Sequence, residues 1–181
     1  MSLQKKYNDS WKKSLQEKLW LKNPHQLPQL QKIVVAMWIW SVATRKWVKD
    51  FSELEDNLKA ITWQAPQLIY SKKSVSNFKL REWMPVMLRC TLRWSKAYDF
   101  IERLTSYVFP RVRDFEWLST KKFDWRGNYS MWLKDLVVFP EINPEDIKIP
   151  MWLQITFATS ANTNEDAQAL LESLGIIFKK A

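Results

Sequence analysis

One segment of the sequence, residues 71–85, gathers the side chains best suited to binding phosphate. It holds four cations, four small polar residues and a phenyl ring: Lys72, Lys73, Lys79, Arg81, Ser71, Ser74, Ser76, Asn77 and Phe78. Lysine, arginine and hydroxyl groups contact phosphate oxygens, and an exposed phenyl ring can stack on a base or a ribose. The segment therefore predicts a protruding basic loop that contacts RNA.

Further cations fall on other predicted loops and on one face of a predicted strand: Arg89, Arg93, Arg111, Arg113, Lys121, Lys122 and Arg126. A single basic cluster is most often an ordinary solvated surface. Here several clusters occur in a chain with 28 Lys and Arg against 19 Asp and Glu, a net charge of +9. Such an excess repels itself unless a polyanion neutralises it. We therefore expect RNA as the partner.

Groups that catalyse reactions or bind metals are sparse. Cys90 and His25 are the only residues of their kinds, so the sequence offers neither an internal disulfide nor a Cys/His zinc site. Gly127 and Gly175 are the only glycines, which excludes a glycine-rich phosphate loop. No apolar run approaches the roughly 20 residues that span a bilayer. We expect no enzymatic activity, cofactor, metal or membrane.

The clusters are positioned by helices and strands that alternate along the chain. Amphipathic spacing predicts helices over residues 8–21, 50–61, 95–109 and 164–174, with Pro110 ending the third and Gly175 closing the last. Apolar runs predict strands over residues 30–40, 67–70, 86–93, 133–139 and 152–158. The order predicts one α+β domain over residues 1–181, with a helix within 1–22 and a protruding loop at 71–85. An antiparallel or mixed sheet would carry helices on one face and offer the other to RNA.

Five segments, in this order, resemble one family, the bacterial-type large-subunit ribosomal protein five, which carries 5S rRNA. They are residues 72–81 (KKSVSNFKLR), 88–93 (LRCTLR), 110–115 (PRVRDF), 126–131 (RGNYSM) and 139–142 (FPEI). The resemblance runs from about Tyr7 to Lys179. It implies a structural constituent of the large ribosomal subunit, located in the central protuberance. Ala36 stands where the family usually has asparagine, which removes one expected hydrogen bond to RNA.

The resemblance also implies partners and contact residues. The sheet face and adjoining loops would bind 5S rRNA and large-subunit rRNA through Lys32, Met37, Trp38, Trp40, Ser41, Gln64, Arg89, Thr91, Arg93, Lys121, Lys122 and Arg126. The basic loop would contact the peptidyl-site tRNA through Lys72, Lys73, Ser74, Asn77, Phe78, Lys79 and Arg81. A further surface would bridge to a small-subunit head protein, and neighbouring central-protuberance proteins would be additional partners.

Tryptophan occupies positions at which the family pattern has glycine. These positions are 20, 38, 40, 63, 83, 94, 117, 125, 132 and 152, and Trp47 is a further candidate; the chain holds 12 Trp beside 2 Gly. Glycine serves where φ is positive or where the backbone approaches RNA closely, and an indole cannot replace it there. Either glycine codons are recorded or edited as tryptophan codons, or the tryptophans are genuine and stack on rRNA. The steric argument favours the first explanation.

Two other functions compete with the ribosomal one. A free-standing RNA chaperone would bind single strands by stacking and would treat many RNAs alike, whereas a ribosomal protein prefers one RNA. A Trp-rich ligand-binding module would not need the basic loop. Unusual coding also favours the mitochondrial matrix as the compartment of the ribosome, with the bacterial cytoplasm and the plastid as alternatives.

Overall fold

The protein contains one five-stranded open sheet. The structure is a computed structural model and describes residue 7 and residues 11–20, 23–45, 50–113, 118–147 and 149–179. The strands are β1 (Leu30–Trp38), β2 (Gln67–Tyr70), β3 (Pro85–Leu92), β4 (Tyr129–Leu133) and β5 (Leu153–Thr159). Their order across the sheet is β2-β3-β1-β5-β4, and β2 pairs with β3 in antiparallel register. The predicted α+β class with an antiparallel sheet is confirmed.

Five α-helices of six or more residues accompany the strands in the described part of the chain. They are α1 (Lys12–Lys18), α2 (Trp40–Arg45), α3 (Ser52–Thr62), α4 (Ser95–Arg103) and α5 (Asn164–Ser173). Short 3-10 turns lie at Pro24–Gln26, Ser76–Phe78, Thr120–Lys122 and Pro144–Asp146. The Thr163 side chain caps α5 by accepting a hydrogen bond from the Asp166 amide, and Gly175 follows with a φ of +92°, as predicted. No described helix is long and apolar enough to cross a membrane.

The third predicted helix continues past its predicted end. Beyond Arg103 the backbone forms a π-helical turn at Leu104–Val108 and a last α-helical turn at Phe109–Arg111. Pro110 therefore does not end the helix. It lies next to last in the continuous helix, which ends one residue later at Arg111. Its ring has no N–H group to continue the helical hydrogen bonds.

Two other boundaries differ from the prediction. The strand expected at 133–139 lies at Tyr129–Leu133, where buried and more exposed side chains alternate. Residues 134–139 instead form turns that bury Leu136, Val138 and Phe139, so their apolar character was misleading. The first strand ends at Trp38, and a short helix that was not predicted begins at Trp40. Residues 8–10 and 21 of the first predicted helix lie outside the described residues.

Backbone contacts divide the chain into two compact units. The first consists of Met1–Ile33, Leu92–Met131 and Thr156–Ala181, and the second of Val34–Thr91 and Trp132–Ile155. The core of the first unit contains an aromatic cluster, in which the Tyr129 ring lies 5.2 Å from that of Phe178 and 6.4 Å from that of Phe157. Aliphatic side chains dominate the core of the second, among them Ile39, Leu54, Leu58, Ile61 and Leu88.

Strand β3 separates a buried face from an open one. Leu88 and Cys90 are almost completely buried, whereas Met87, Arg89 and Thr91 are only half-buried. Successive side chains of a strand point to opposite faces, so these two sets lie on opposite sides of the sheet. Gln67 of β2 pairs with Arg89 and so belongs to the open face.

Substitution on the two faces of β3 tests this assignment. We expect Leu88→Ala to lower the free energy of unfolding by about 2–5 kcal/mol, because it leaves a cavity in the core. Met87→Ala, the neighbouring position on the open face, is the matched control and should cost clearly less. Urea unfolding followed by circular dichroism measures both variants. Equal losses would show that β3 is buried on both faces.

Candidate nucleic-acid interface

The basic loop is an ordered protrusion of the second unit. Val75 and Leu80 exchange two backbone hydrogen bonds, with N···O distances of 3.0 and 3.1 Å. At the base of the loop, the Ser71 amide donates to the Met84 carbonyl (2.8 Å) and the Trp83 amide donates to the Ser71 carbonyl (3.0 Å). These bonds form a small hairpin that fixes the path of the backbone.

The side chains of this hairpin point outward. Every residue from 72 to 79 is exposed, and Arg81 is exposed as well. None of the four loop cations forms an ion pair with a carboxylate that the structure describes. Their charges are therefore available to an external polyanion.

Two loop residues have contacts that bear on their predicted roles. The Ser74 hydroxyl donates to the Leu80 carbonyl at 3.2 Å, so its hydrogen stabilises the loop instead of reaching a phosphate. The Phe78 ring is 57% exposed and meets the Trp40 ring edge-on, with centroids 6.1 Å apart at 74°. The Phe78 ring is thus partly available for stacking and touches the start of α2.

The open sheet face of the second unit presents preorganised polar groups. The Gln64 side-chain amide donates to the Thr91 carbonyl at 3.2 Å, and the Arg89 guanidinium donates to the Gln67 side-chain oxygen at 3.2 Å. A guanidinium carries five N–H donors, so Arg89 keeps several for a ligand. The hydrogen bond to Gln67 lowers the entropy that Arg89 would lose on binding.

An aromatic cleft lies at the end of β1 in the same unit. Its volume is about 520 Å³, and its walls are Trp38, Trp40, Ser41, Trp132, Pro150, Met151 and Trp152. The Trp38 indole N–H donates to the Gln154 side-chain oxygen at 2.7 Å. The sequence did not predict that Trp132 and Trp152 would join Trp38 and Trp40; their shared residue type was the only available signal.

Met37 was expected to contact rRNA, and its side chain cannot do so. It is 0% exposed, because Ile33, Val35 and Met37 alternate onto the buried face of β1. Trp38, Trp40 and Ser41 from the same predicted set remain accessible. A role for position 37 is therefore limited to its backbone.

The other predicted cations lie in the first unit. Lys32 is half-buried on β1, and Arg93, Lys121, Lys122 and Arg126 are exposed. Lys121 and Lys122 belong to a 3-10 turn that the Ser119 hydroxyl caps by accepting from the Lys121 amide at 3.3 Å. Arg111 and Arg113 are also exposed, whereas Asp114 and Glu116 lie outside the described residues.

The loop that carries Arg126 is organised by a carboxylate. Asp124 accepts hydrogen bonds from the backbone amides of Arg126 (2.9 Å) and Asn128 (2.7 Å), and from the Asn128 side chain (2.7 Å). Burial by itself would raise the pKa of Asp124, but these hydrogen bonds and the nearby Arg126 charge hold that pKa below its usual range.

The same loop is attached to β5 and α5. The Thr159 hydroxyl donates to the Gly127 carbonyl at 2.8 Å, the Thr159 amide donates to the Asn128 side chain at 3.1 Å, and the Gly127 amide donates to the Asn164 side chain at 3.3 Å. The cation at Arg126 thus projects from a fixed backbone. Among the described residues, no group of three His, Cys, Asp or Glu side chains is placed to hold a metal ion.

Comparison with known proteins matches this chain to one family. The family model for ribosomal protein L5 matches residues 23–81, and the model for the C-terminus of the same ribosomal protein family matches residues 85–178. The large ribosomal subunit protein uL5 of Rhodopirellula baltica is 39% identical, covering 98% of this chain and 90% of its own. Those of Thermosipho melanesiensis and Thermus aquaticus are 40% and 38% identical, covering 98% and 99% of this chain and 97% and 98% of their own.

The Asp124 hydrogen bonds should make this loop sensitive to acid. Because the folded pKa is lowered, the stabilisation by Asp124 is complete above the unfolded-state pKa and is lost as the pH falls through the folded pKa. We expect the protection of the Arg126 and Asn128 amides, measured by NMR as the exchange rate relative to an unfolded peptide at the same pH, to fall in that acidic range. Asp124→Asn should show fast exchange already at neutral pH, and Asp135→Asn, an exposed aspartate outside the loop, should not. Unchanged protection in Asp124→Asn would contradict the assignment.

Proposed function

The chain belongs to the ribosomal protein L5 family, and from this membership we propose that it binds 5S rRNA in the central protuberance. It is a structural constituent of the large ribosomal subunit and not an enzyme. The observation that carries the proposal is that a polar sheet face and an exposed basic loop occur in one compact unit. Two different RNA contacts can therefore be assigned to two different parts of that unit.

The open sheet face is the proposed site for 5S rRNA. Gln64, Arg89 and Thr91 lie on or beside it, and the segment from Trp38 to Ser41 begins at the last residue of β1. Arg89 would supply charge-assisted hydrogen bonds to phosphate or to a base edge. Its hydrogen bond to Gln67 holds it in place before RNA arrives.

The basic loop is the proposed contact with the peptidyl-site tRNA. Its backbone hydrogen bonds keep it extended from the sheet, and its four cations have no described carboxylate partner. Lys72, Lys73, Lys79 and Arg81 would contact tRNA phosphates, and the exposed ring of Phe78 would stack on a base or a ribose. Asn77 is exposed at the tip and would add a hydrogen bond.

The cations of the first unit are proposed to contact large-subunit rRNA. Lys32, Arg93, Lys121, Lys122 and Arg126 would do so mainly through phosphates, which position a protein without reading sequence. A bridge to a small-subunit head protein and contacts with neighbouring proteins of the central protuberance complete the proposal. The bacterial relatives favour a bacterial ribosome; the mitochondrial matrix stays a prediction from the unusual composition.

Substitution of the loop cations should separate the tRNA contact of the loop from the 5S rRNA contact of the sheet face. Changing Lys72, Lys73, Lys79 and Arg81 to Gln should weaken peptidyl-site tRNA binding to reconstituted ribosomes. We expect a loss of at least about fourfold, since four exposed charge contacts of about 0.2–1 kcal/mol each give about 0.8–4 kcal/mol in all. Affinity for isolated 5S rRNA should stay unchanged. A charge-matched control changes the exposed Lys59, Lys96, Lys134 and Lys179 to Gln. Equal weakening by both variants would show that only net charge matters.

Arg89→Gln should weaken binding to 5S rRNA and leave binding to the peptidyl-site tRNA unchanged. We expect affinity for 5S rRNA to fall at least about tenfold, because a hydrogen bond to a charged group contributes about 1.5–3 kcal/mol. Filter binding with an unrelated RNA of equal length as competitor measures this loss. Lys59→Gln, an exposed cation outside every proposed contact, is the control. Full affinity in a folded Arg89→Gln protein would remove the sheet face from the proposal.

A further inference from the structure

Tryptophan takes the backbone role of glycine in this protein. In the described part of the chain, seven residues have positive φ: Trp20 (52°), Trp63 (53°), Lys79 (53°), Trp83 (61°), Trp94 (53°), Gly127 (70°) and Gly175 (92°). Both glycines are among them, and four of the five others are tryptophan. Positive φ is uncommon outside glycine, and the exceptions are usually Asn or Asp, whose short polar side chains bond locally. A bulky indole has no such compensation.

Two of these tryptophans follow helices as a glycine would. Trp63 ends α3 in the left-handed region (φ 53°, ψ 29°), and its amide donates to the Lys59 carbonyl at 2.7 Å. Trp20 follows α1, and its amide donates to the Glu17 carbonyl at 3.3 Å. Gly175 has the same place after α5, where its amide donates to the Glu172 carbonyl at 3.0 Å. A left-handed residue at this position is the common helix ending, and glycine is the residue that normally fills it.

The other two tryptophans lie in tight connections. Trp83 closes the base of the basic loop through its hydrogen bond to Ser71. Trp94 precedes α4 with φ 53° and ψ −134°, which lies outside the left-handed helical region that non-glycine residues occasionally adopt. Strained backbone of this kind destabilises the folded state unless the surroundings compensate for it.

The indoles do not compensate by burial. Trp20, Trp63, Trp83 and Trp94 are 91%, 63%, 76% and 81% exposed, and the buried core of the described residues contains no tryptophan. Burying its large ring is the main way in which tryptophan stabilises a fold. The four positions therefore combine the backbone that only glycine adopts freely with side chains that pack little.

We infer that the protein made in the cell carries glycine at positions 20, 63, 83 and 94, because its codons there are read as glycine. The inference rests on backbone geometry and is independent of the proposed function. The same reading at positions 38, 40, 132 and 152 would empty the aromatic cleft and remove the ring that Phe78 contacts. This consequence does rest on the proposed function: it would let rRNA approach the strand ends closely and expose Phe78 further.

Peptide mass spectrometry on the native protein tests the inference. Trypsin releases residues 60–72, 82–89 and 127–134, which contain positions 63, 83 and 132. We expect a glycine mass at positions 63 and 83, and tryptophan at either would overturn the inference. If the cleft positions are also read as glycine, position 132 should have a glycine mass. Tryptophan at 132 would confine the inference to the positive-φ positions. The proposed function is tested separately, by whether the intact protein sediments with the large ribosomal subunit, whichever peptide masses are found.

Thermal unfolding of the recombinant chain gives a second test. Each of Trp63→Gly, Trp83→Gly and Trp94→Gly should raise Tm by at least about 2–4 °C. This is the shift expected when the backbone strain at one positive-φ residue is relieved in a domain of this length. Trp63→Ala keeps a β-carbon and should raise Tm less than Trp63→Gly does. Trp11→Gly, at a right-handed position (φ −76°, ψ −27°), should lower Tm. A fall in Tm for the three glycine variants would overturn the inference.

Discussion

The alternation of side chains along the strands is the constraint on which the rest of the structure depends. In β3 it buries Leu88 and Cys90 and leaves Arg89 and Thr91 on the open face. A register shift of one residue would exchange the two faces, so the core and the binding face are specified by the same pattern. The pairing of Gln67 with Arg89 follows from that register and gives the arginine its hydrogen-bond partner. The preorganised polar face is therefore a consequence of core packing.

The basic loop adds a second kind of constraint, since it concentrates charge without internal neutralisation. The backbone bonds between Val75 and Leu80 and those at Ser71 hold the hairpin in shape while its cations stay exposed. Mutual repulsion among these cations is a cost that a polyanion would relieve, which supports the proposed contact of the loop with RNA. The hairpin closes through Trp83, a positive-φ residue, so its shape depends on a turn that glycine would form with less strain.

Much of the fold could be predicted from local pattern. Leu54, Leu58 and Ile61 recur at helical spacing in α3, and the predicted strand at 67–70 coincides with β2. The apolar run at 133–139 wrongly predicted a strand, because an apolar run without alternation does not distinguish a strand from compact turns. The basic loop could be predicted because its residues are adjacent in sequence. The aromatic cleft and the Asp124 hydrogen bonds could not, since both depend on backbone geometry or on contacts between residues far apart in the chain.

Electron cryomicroscopy of the native ribosome with tRNA in the peptidyl site would reveal both proposed contacts in one structure. We expect the open sheet face, centred on Arg89, to lie against 5S rRNA. We also expect the loop from residue 71 to 85 to reach the tRNA. A large subunit in which that face is covered by protein or solvent, and in which the loop lies far from the tRNA, would exclude both proposed contacts.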